Sequence, residues 1–354
     1  MKPLKLTSAI IYTLFSISLI ACGGGSGSGS DDDDSGDNQG KPVLSVETQK
    51  TANPKTYSIT ASGKITISST AYFSNAGILI DEKAQPTVEK STYNGKPSSL
   101  QTMPNVQITQ NGKSTTANVY MFTVSFSGLK PNTTYHYRAY YNYYNNNNSI
   151  VYGQDMTFTT KSANINAVDL GLKSKTLWAT CNIGAEEPQD VGSYFPLGEY
   201  IPNAYYRSNS YANDLLDVND NKDPIGDLDE TLKQMDPAFK YYGGNWRTPT
   251  IEQFNELIAD CKWTWTDNYL NTNKKGYIVE SKTNPNNKIF LPVAGGYYDN
   301  KTQKEKNKGY YNSRLINTSV PAKRNILYLS DQSRYLLSLE SDKACLTRPV
   351  MKSN

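Results

Sequence analysis

The sequence predicts a β-rich chain in two parts, a β-sandwich over residues 42–162 followed by an α+β module over residues 166–354. Three observations carry this expectation. Tyr120, Phe122, Val124 and Phe126 alternate strictly, which puts four large apolar groups on one face of a strand. The polar stretch Lys161 to Asn166 separates two regions of different patterning. Beyond it, Thr250 is followed three residues later by Gln253, the spacing of a capping box. Ile251, Phe254, Leu257, Ile258 and Cys261 then fall on one stripe of the helix so begun.

The chain opens on a targeting segment. Lys2 and Lys5 form a short positive region, and Ile10 to Ala21 an apolar run. A helix needs about 20 apolar residues to cross a bilayer, so this run fits the hydrophobic core of a signal peptide over residues 1–21. It ends in Leu19-Ile20-Ala21-Cys22, which resembles the lipobox read by lipoprotein signal peptidase. The resemblance implies that the Cys22 sulfur takes a diacylglycerol before cleavage. Each buried CH₂ of such a chain contributes about 0.8 kcal/mol to membrane attachment. Residues 22–41 form a Gly/Ser/Asp tether. Residues 23–40 carry no apolar side chain, and a flexible chain of that length reaches about 23 Å. The acidic run Asp31 to Asp34 resembles the surface-export signal of Bacteroidetes-like lipoproteins, which places the chain on the outer membrane, facing the cell surface.

In the first folded part, Val43, Ser45 and Val46 open a strand. Tyr57, Ile59, Ile65 and Ile67 mark further strand positions, as do Ile78 and Ile80. The segment Gly128-Leu129-Lys130-Pro131-Asn132-Thr133-Thr134-Tyr135 is followed by Tyr137 and Ala139 at period two. It resembles the tyrosine corner of fibronectin type III and immunoglobulin-like sandwiches, in which a Tyr hydroxyl ties back to the turn backbone. The closing stretch Tyr152 to Thr160 is similar to the last strand of that family, and residues 83–118 depart from it as a longer insertion. A sandwich of this kind is read as a spacer.

The second part carries ordered blocks. Val168 to Leu172 and Leu177-Trp178-Ala179-Thr180-Cys181-Asn182-Ile183-Gly184-Ala185 come first. Gly243-Gly244-Asn245-Trp246-Arg247-Thr248-Pro249-Thr250 and Cys261 to Thr266 follow, then Ile289 to Gly296 and Arg348-Pro349-Val350. In this order they resemble the Fibrobacter succinogenes major paralogous domain, which is similar to C-type-lectin-like folds. Leu197, Gln253 and Asn312 depart from the family pattern, two of them where a Trp is usual. Within these blocks, Trp178 and Trp246 are expected in the core. Arg247 is expected to be an interior arginine held by a carboxylate or by backbone carbonyls.

Composition narrows the functional classes. The formal charge of +3 includes two leader lysines and five tether aspartates, so the folded part carries about +6, scattered without a basic stripe. Nucleic acid is therefore not an expected partner. Tyr outnumbers Phe, 27 to 9, which suits half-wet sheets and binding surfaces. Of four cysteines, three remain after lipidation. Cys181 and Cys261 both lie in blocks of the resemblance and are expected to form a disulfide, leaving Cys345 free, with Cys345 bridged to either of them as the alternative. No spacing marks a metal site or cofactor. Asp217, Asn219, Asn221 and Asp223 alternate as calcium ligands do. Lys222 and Leu228 then break the EF-hand pattern, and only a looser lectin-type site or a solvated loop remains. The single histidine, His136, alternates with inward Tyr135 and Tyr137 and is expected to face solvent, away from a catalytic pocket. The expectation is a non-enzymatic binding or adhesion module for a glycan or a surface protein, held to the membrane by its lipid. The rival is a structural component of a surface assembly. A binding face is expected at Tyr297, Tyr298, Tyr310 and Tyr311, which bracket a Lys/Asn-rich loop. Trp263 and Trp265 share one strand face, either buried together or exposed as a platform for sugar rings.

Overall fold

The computed structural model describes residues 43–352 apart from 52, 71–72, 98, 111, 144–148, 197, 203–232, 234, 300–301, 317–322 and 341–342. The leader with Cys22, the tether and the loop holding Asp217 to Asp223 lie outside the described residues. What is described is mostly antiparallel β-sheet.

The first part is arranged as a β-sandwich. One sheet runs in the order β1 (Val43–Gln49), β2 (Ser58–Ser68), β6 (Lys113–Ser127) and β5 (Leu100–Gln110). The other runs β4 (Tyr93–Gly95), β3 (Asn75–Asp81), β7 (Thr134–Asn142) and β8 (Ile150–Tyr152), with β9 (Met156–Thr159) also paired to β7. The alternating residues of β2, β3, β6 and β7 meet between the sheets. Ile59, Ile65, Ile67, Ile78, Ile80, Phe122, Val124 and Phe126 are buried there with Tyr135, Tyr137 and Phe158. The expected tie at the corner is present, since the Lys130 backbone N–H donates to the Tyr135 hydroxyl at 2.9 Å. Residues 83–118, expected as an insertion, hold β4 and β5 and the start of β6, with β5 and β6 paired as a long hairpin.

Among its described residues the second part holds two short α-helices and several small sheets. β10 (Ala167–Asp169), β11 (Thr176–Ala179) and β22 (Val350–Lys352) form one sheet. β13 (Cys261–Thr266), β14 (Gly276–Ser281) and β15 (Lys288–Pro292) form another, and β16 (Tyr297–Asp299) pairs with β17 (Thr302–Lys304). The largest runs β12 (Tyr194–Phe195), β21 (Cys345–Leu346), β18 (Gly309–Ile316), β19 (Lys323–Leu329) and β20 (Arg334–Glu340). Helix α1 (Pro237–Tyr242) is capped by Asp236, whose carboxylate also accepts from the Thr248 backbone and hydroxyl. Helix α2 (Ile251–Asp260) has the capping box expected of Thr250 and Gln253, and it buries Phe254 and Leu257. Trp178, Phe254, Leu257, Val279, Leu291, Tyr311 and Leu327 lie together in its core. Arg247 is held as expected, donating to the Gly244 and Trp246 carbonyls.

The two parts meet through tyrosines, and residues 41–354 form one compact unit. Tyr57 of the sandwich joins Ala179, Ile183, Phe195, Tyr241 and Trp246 in a buried cluster, with Ala163 and Ile165 of the connecting stretch packed against it. The Tyr57 and Tyr242 hydroxyls share a hydrogen bond of 3.1 Å. The Gly128 carbonyl accepts from Tyr93 of the sandwich at 3.1 Å and from Tyr241 of α1 at 2.6 Å. Gly128 has φ +72°, and a Cβ there would sit 2.3 Å from Pro202 Cγ, so the turn needs glycine on both counts.

The expected Cys181–Cys261 disulfide is not formed. All three described cysteines are buried free thiols in separate surroundings. Cys181 Sγ lies against the Thr180 hydroxyl and the Glu186 carbonyl, Cys261 ends α2 in the main core, and Cys345 accepts from Arg324 on β19. Burial raises all three thiols, Cys261 to about 11, so they stay protonated and unreactive.

Candidate functional site

Helix α2 runs into β13 without a loop, because Cys261 is both its C-cap and the first residue of the strand. That junction fixes Trp263 and Trp265 on one face of an edge strand. The Trp263 indole N–H donates to the Leu257 carbonyl at 3.0 Å, satisfying one of the acceptors a helix end leaves open. Opposite them on β14, the Tyr277 ring meets both indoles edge-on, at 5.4 and 5.1 Å between centroids. Both tryptophans are half-buried: their inner edges pack on the core and part of each ring stays in solvent.

The other wall comes from the start of β20, also an edge strand. The turn before it is short and closed, with Ser330 and Ser333 exchanging backbone hydrogen bonds of 2.8 and 3.4 Å. It delivers Arg334 over the Trp263 ring, with the guanidinium carbon 5.4 Å from the centroid and 6.0 Å from that of Tyr277. Burial pushes the Tyr277 phenol up, and the Arg334 charge pulls it partly back. Tyr335 lies against Tyr328, the rings tilted at 37° with centroids 4.8 Å apart, and at 47% exposure it is one of the most open large apolar side chains described. Between β20 and α2 lies an open depression of about 370 Å³ lined by Ile258, Gln332, Ser333, Arg334 and Tyr335. One tyrosine ring, a planar cation, an amide and a hydroxyl thus line one hollow, and the same cation lies against Trp263.

The structure buries two residues of the expected binding face. Tyr310 and Tyr311 are 4% and 0% exposed, so they form no open aromatic surface. β18 is the central strand of its sheet and is covered on both sides. Tyr311 enters the main core and donates to the Pro292 carbonyl at 2.8 Å. Tyr310 packs edge-on against Tyr328 and donates to Glu305. Tyr297 and Tyr298 lie on β16, and their side chains are outside the described residues. Trp263 and Trp265 are neither fully buried nor a bare platform. Gln332, Ser333, Arg334 and Tyr335 had no part in the expectation. Their one sequence signal is the polar Ser330-Asp331-Gln332-Ser333 between two apolar runs, which marks a hairpin but not its neighbour across the fold.

His136 is half-buried, and its Nδ1 lies 2.9 Å from an Asp155 carboxylate oxygen. Among the described residues no group of His, Cys, Asp and Glu is placed to hold a metal ion. No described helix is long and apolar enough to cross a membrane.

No protein-family profile matches the chain, and no curated protein sequence matches it. Among solved structures, it is similar to the sensor domain of the anti-sigma factor RsgI4 of Pseudobacteroides cellulosolvens. That likeness is 18% identical, covers 34% of this chain and 96% of that one, and has a TM-score of 0.22, a level that carries no argument.

Proposed function

We propose that this chain is a lipid-anchored surface protein whose second part binds saccharide at the Trp263–Arg334 patch. In this reading Cys22 carries the anchor at the outer membrane, the fibronectin type III-like sandwich is a spacer, and the C-type-lectin-like module displays the site. The Tyr135 tie supports the first resemblance, and the capped helix running into a tryptophan strand supports the second. One observation carries the binding reading: two partly buried indoles on an edge strand, braced by Tyr277 and met by Arg334, which also lines an open hollow with Tyr335. Pyranose rings need this combination, an aromatic face for their axial C–H groups and polar groups at the rim for their hydroxyls. A protein that only braced an assembly would have no need to leave such rings open.

The test is a glycan array with the full chain in detergent, followed by calorimetry on the best ligand. Tyr335→Ala and Trp265→Ala should each weaken binding about tenfold, or about 1.4 kcal/mol. Tyr335→Ala should leave the melting temperature nearly unchanged, since that ring is already half in solvent. Retention of wild-type affinity by both variants would move the site elsewhere.

A further inference from the structure

The patch is not chemically neutral, and Arg334 decides what kind of saccharide suits it. The guanidinium lies over Trp263 and Tyr277, its carbon 5.4 and 6.0 Å from their ring centroids. Apart from a contact with the Tyr277 hydroxyl, no hydrogen bond to a described residue takes its N–H donors, so part of the guanidinium fork is left for a ligand. Arg334 forms no ion pair with any described residue, whereas nearby surface charges do: Lys262 pairs with Glu280 at 2.9 Å and Lys308 with Glu305 at 3.2 Å. It also lines the depression, next to the amide of Gln332 and the hydroxyl of Ser333. The formal charge of the folded part, about +6, adds a mild field of the same sign.

We propose that the site selects anionic saccharides, with the carboxylate or sulfate of the sugar taken by the Arg334 fork while the ring lies against the exposed aromatic edges. This rests on the saccharide-binding reading above and narrows it to a charge class. A guanidinium meets both groups through two parallel N–H···O bonds, which a lone ammonium cannot imitate. One group opposes the inference. Asp331 sits on the same turn, close enough for its charge to act on Tyr277. Its charge lowers affinity for an anion, which gives the proposal a second, opposite-signed handle.

The experiment titrates the full chain in detergent with oligogalacturonate, its methyl ester and a sulfated galactan oligosaccharide at fixed ionic strength. The acid form should bind at least tenfold more tightly than the neutral ester. Arg334→Gln should erase that preference, the acid losing at least tenfold more affinity than the ester, and Arg334→Lys should recover only a part of it. Asp331→Asn should strengthen binding of the acid a few-fold and leave the ester unchanged. Preference for the sulfated galactan over the uronate assigns the anion as sulfate; the reverse assigns carboxylate. Equal binding of acid and ester, still lost in Tyr335→Ala, would overturn the charge inference and keep saccharide binding. An acid preference that survives Arg334→Gln would also overturn it. Failure of wild type to bind any of the three, while another array glycan binds at Tyr335, refutes the charge class alone. Failure to bind any glycan refutes both readings.

Discussion

Arg348 is fully buried with no carboxylate partner among the described residues, and oxygen atoms of amides hold it. Its guanidinium donates to the Asn182 side chain at 2.8 Å, to the Ala179 and Thr180 carbonyls, and to the Phe290 carbonyl at 2.7 Å. One side chain thereby joins β11, the loop after it and β15, while burial lowers its pKa from the usual arginine value. Removing it leaves buried acceptors unpaired, at about 1–3 kcal/mol for each one that cannot relax. Arg348→Met should therefore lower the unfolding free energy by about 3 kcal/mol or more, and Arg348→Lys should not restore it, because an ammonium lacks the fork. Urea denaturation checks this: a lower midpoint at unchanged slope is expected, and a loss under 1 kcal/mol would contradict it. The sequence marks Arg348 within a block but cannot say whether an arginine there faces inward. Tyr310 and Tyr311 show the same limit from the other side. A tyrosine pair beside a Lys/Asn-rich loop reads as surface until a neighbouring strand on each side makes β18 central. Asn312, where the family resemblance leads one to expect Trp, is buried too, its amide donating to the Phe195 and Cys345 carbonyls and the Thr347 hydroxyl.

At the scale of elements, local rules were the legible ones. The helix α2 start could be read from two residues, because a capping box is a contact between neighbours in sequence. Thr250 accepts from the Gln253 N–H at 3.3 Å, and Gln253 accepts from the Thr250 N–H at 2.8 Å. Gln253 also donates to the Thr176 hydroxyl at 3.1 Å, which pins the helix start to β11, and this long-range bond left no trace in the sequence. The two roles separate by mutation. Thr250→Ala should cost about 1 kcal/mol, the usual worth of an N-cap. Gln253→Ala should cost more, because it leaves the buried Thr250 N–H without its acceptor and also loses the bond to Thr176. Thermal denaturation of the two variants checks the order, and a larger loss in Thr250→Ala would reverse it. The tyrosine corner was legible for the same reason, its Tyr lying five residues from its donor. The β5–β6 hairpin was not, because β5 is an exposed edge strand with little apolar alternation to announce it. Nor was the hollow beside Arg334. It lies between α2 and the start of β20, and no local pattern brings Arg334 to Trp263 across some seventy residues of chain.

For the whole molecule, the question is whether the two parts behave as beads on a string or as one body. The polar stretch at Lys161 to Asn166 reads as a linker, but Ala163 and Ile165 pack into the joint. Two small apolar residues in six are too weak a signal to have shown this. The joint is aromatic and dry: Tyr241 is 5% exposed and Trp246 9%, and Phe195 meets Tyr241 edge-on at 5.5 Å. Burial pushes the Tyr57 phenol up to about 12 and that of Tyr241 well above its ordinary value, as expected for rings shut away from water. Interfaces between domains are by default small and polar enough to let them move, and this one is neither polar nor wet at its centre. The two parts should therefore unfold in a single transition, with calorimetric and van't Hoff enthalpies equal. Tyr241→Phe removes one hydroxyl and leaves the Gly128 carbonyl its bond from Tyr93, so it should cost only about 0.5–1.5 kcal/mol and keep one transition. Tyr241→Ala empties the centre of the joint, at about 3–5 kcal/mol for a buried aromatic. It should split the calorimetric trace into two peaks, the sandwich and the second module melting separately. Two peaks already present in the wild-type trace would mean that the joint does not couple the parts. A joint that couples the parts also fixes where the Trp263–Arg334 patch is held relative to the start of the sandwich at Val43, so under the proposed function the display of that patch depends on the tyrosines that close the joint.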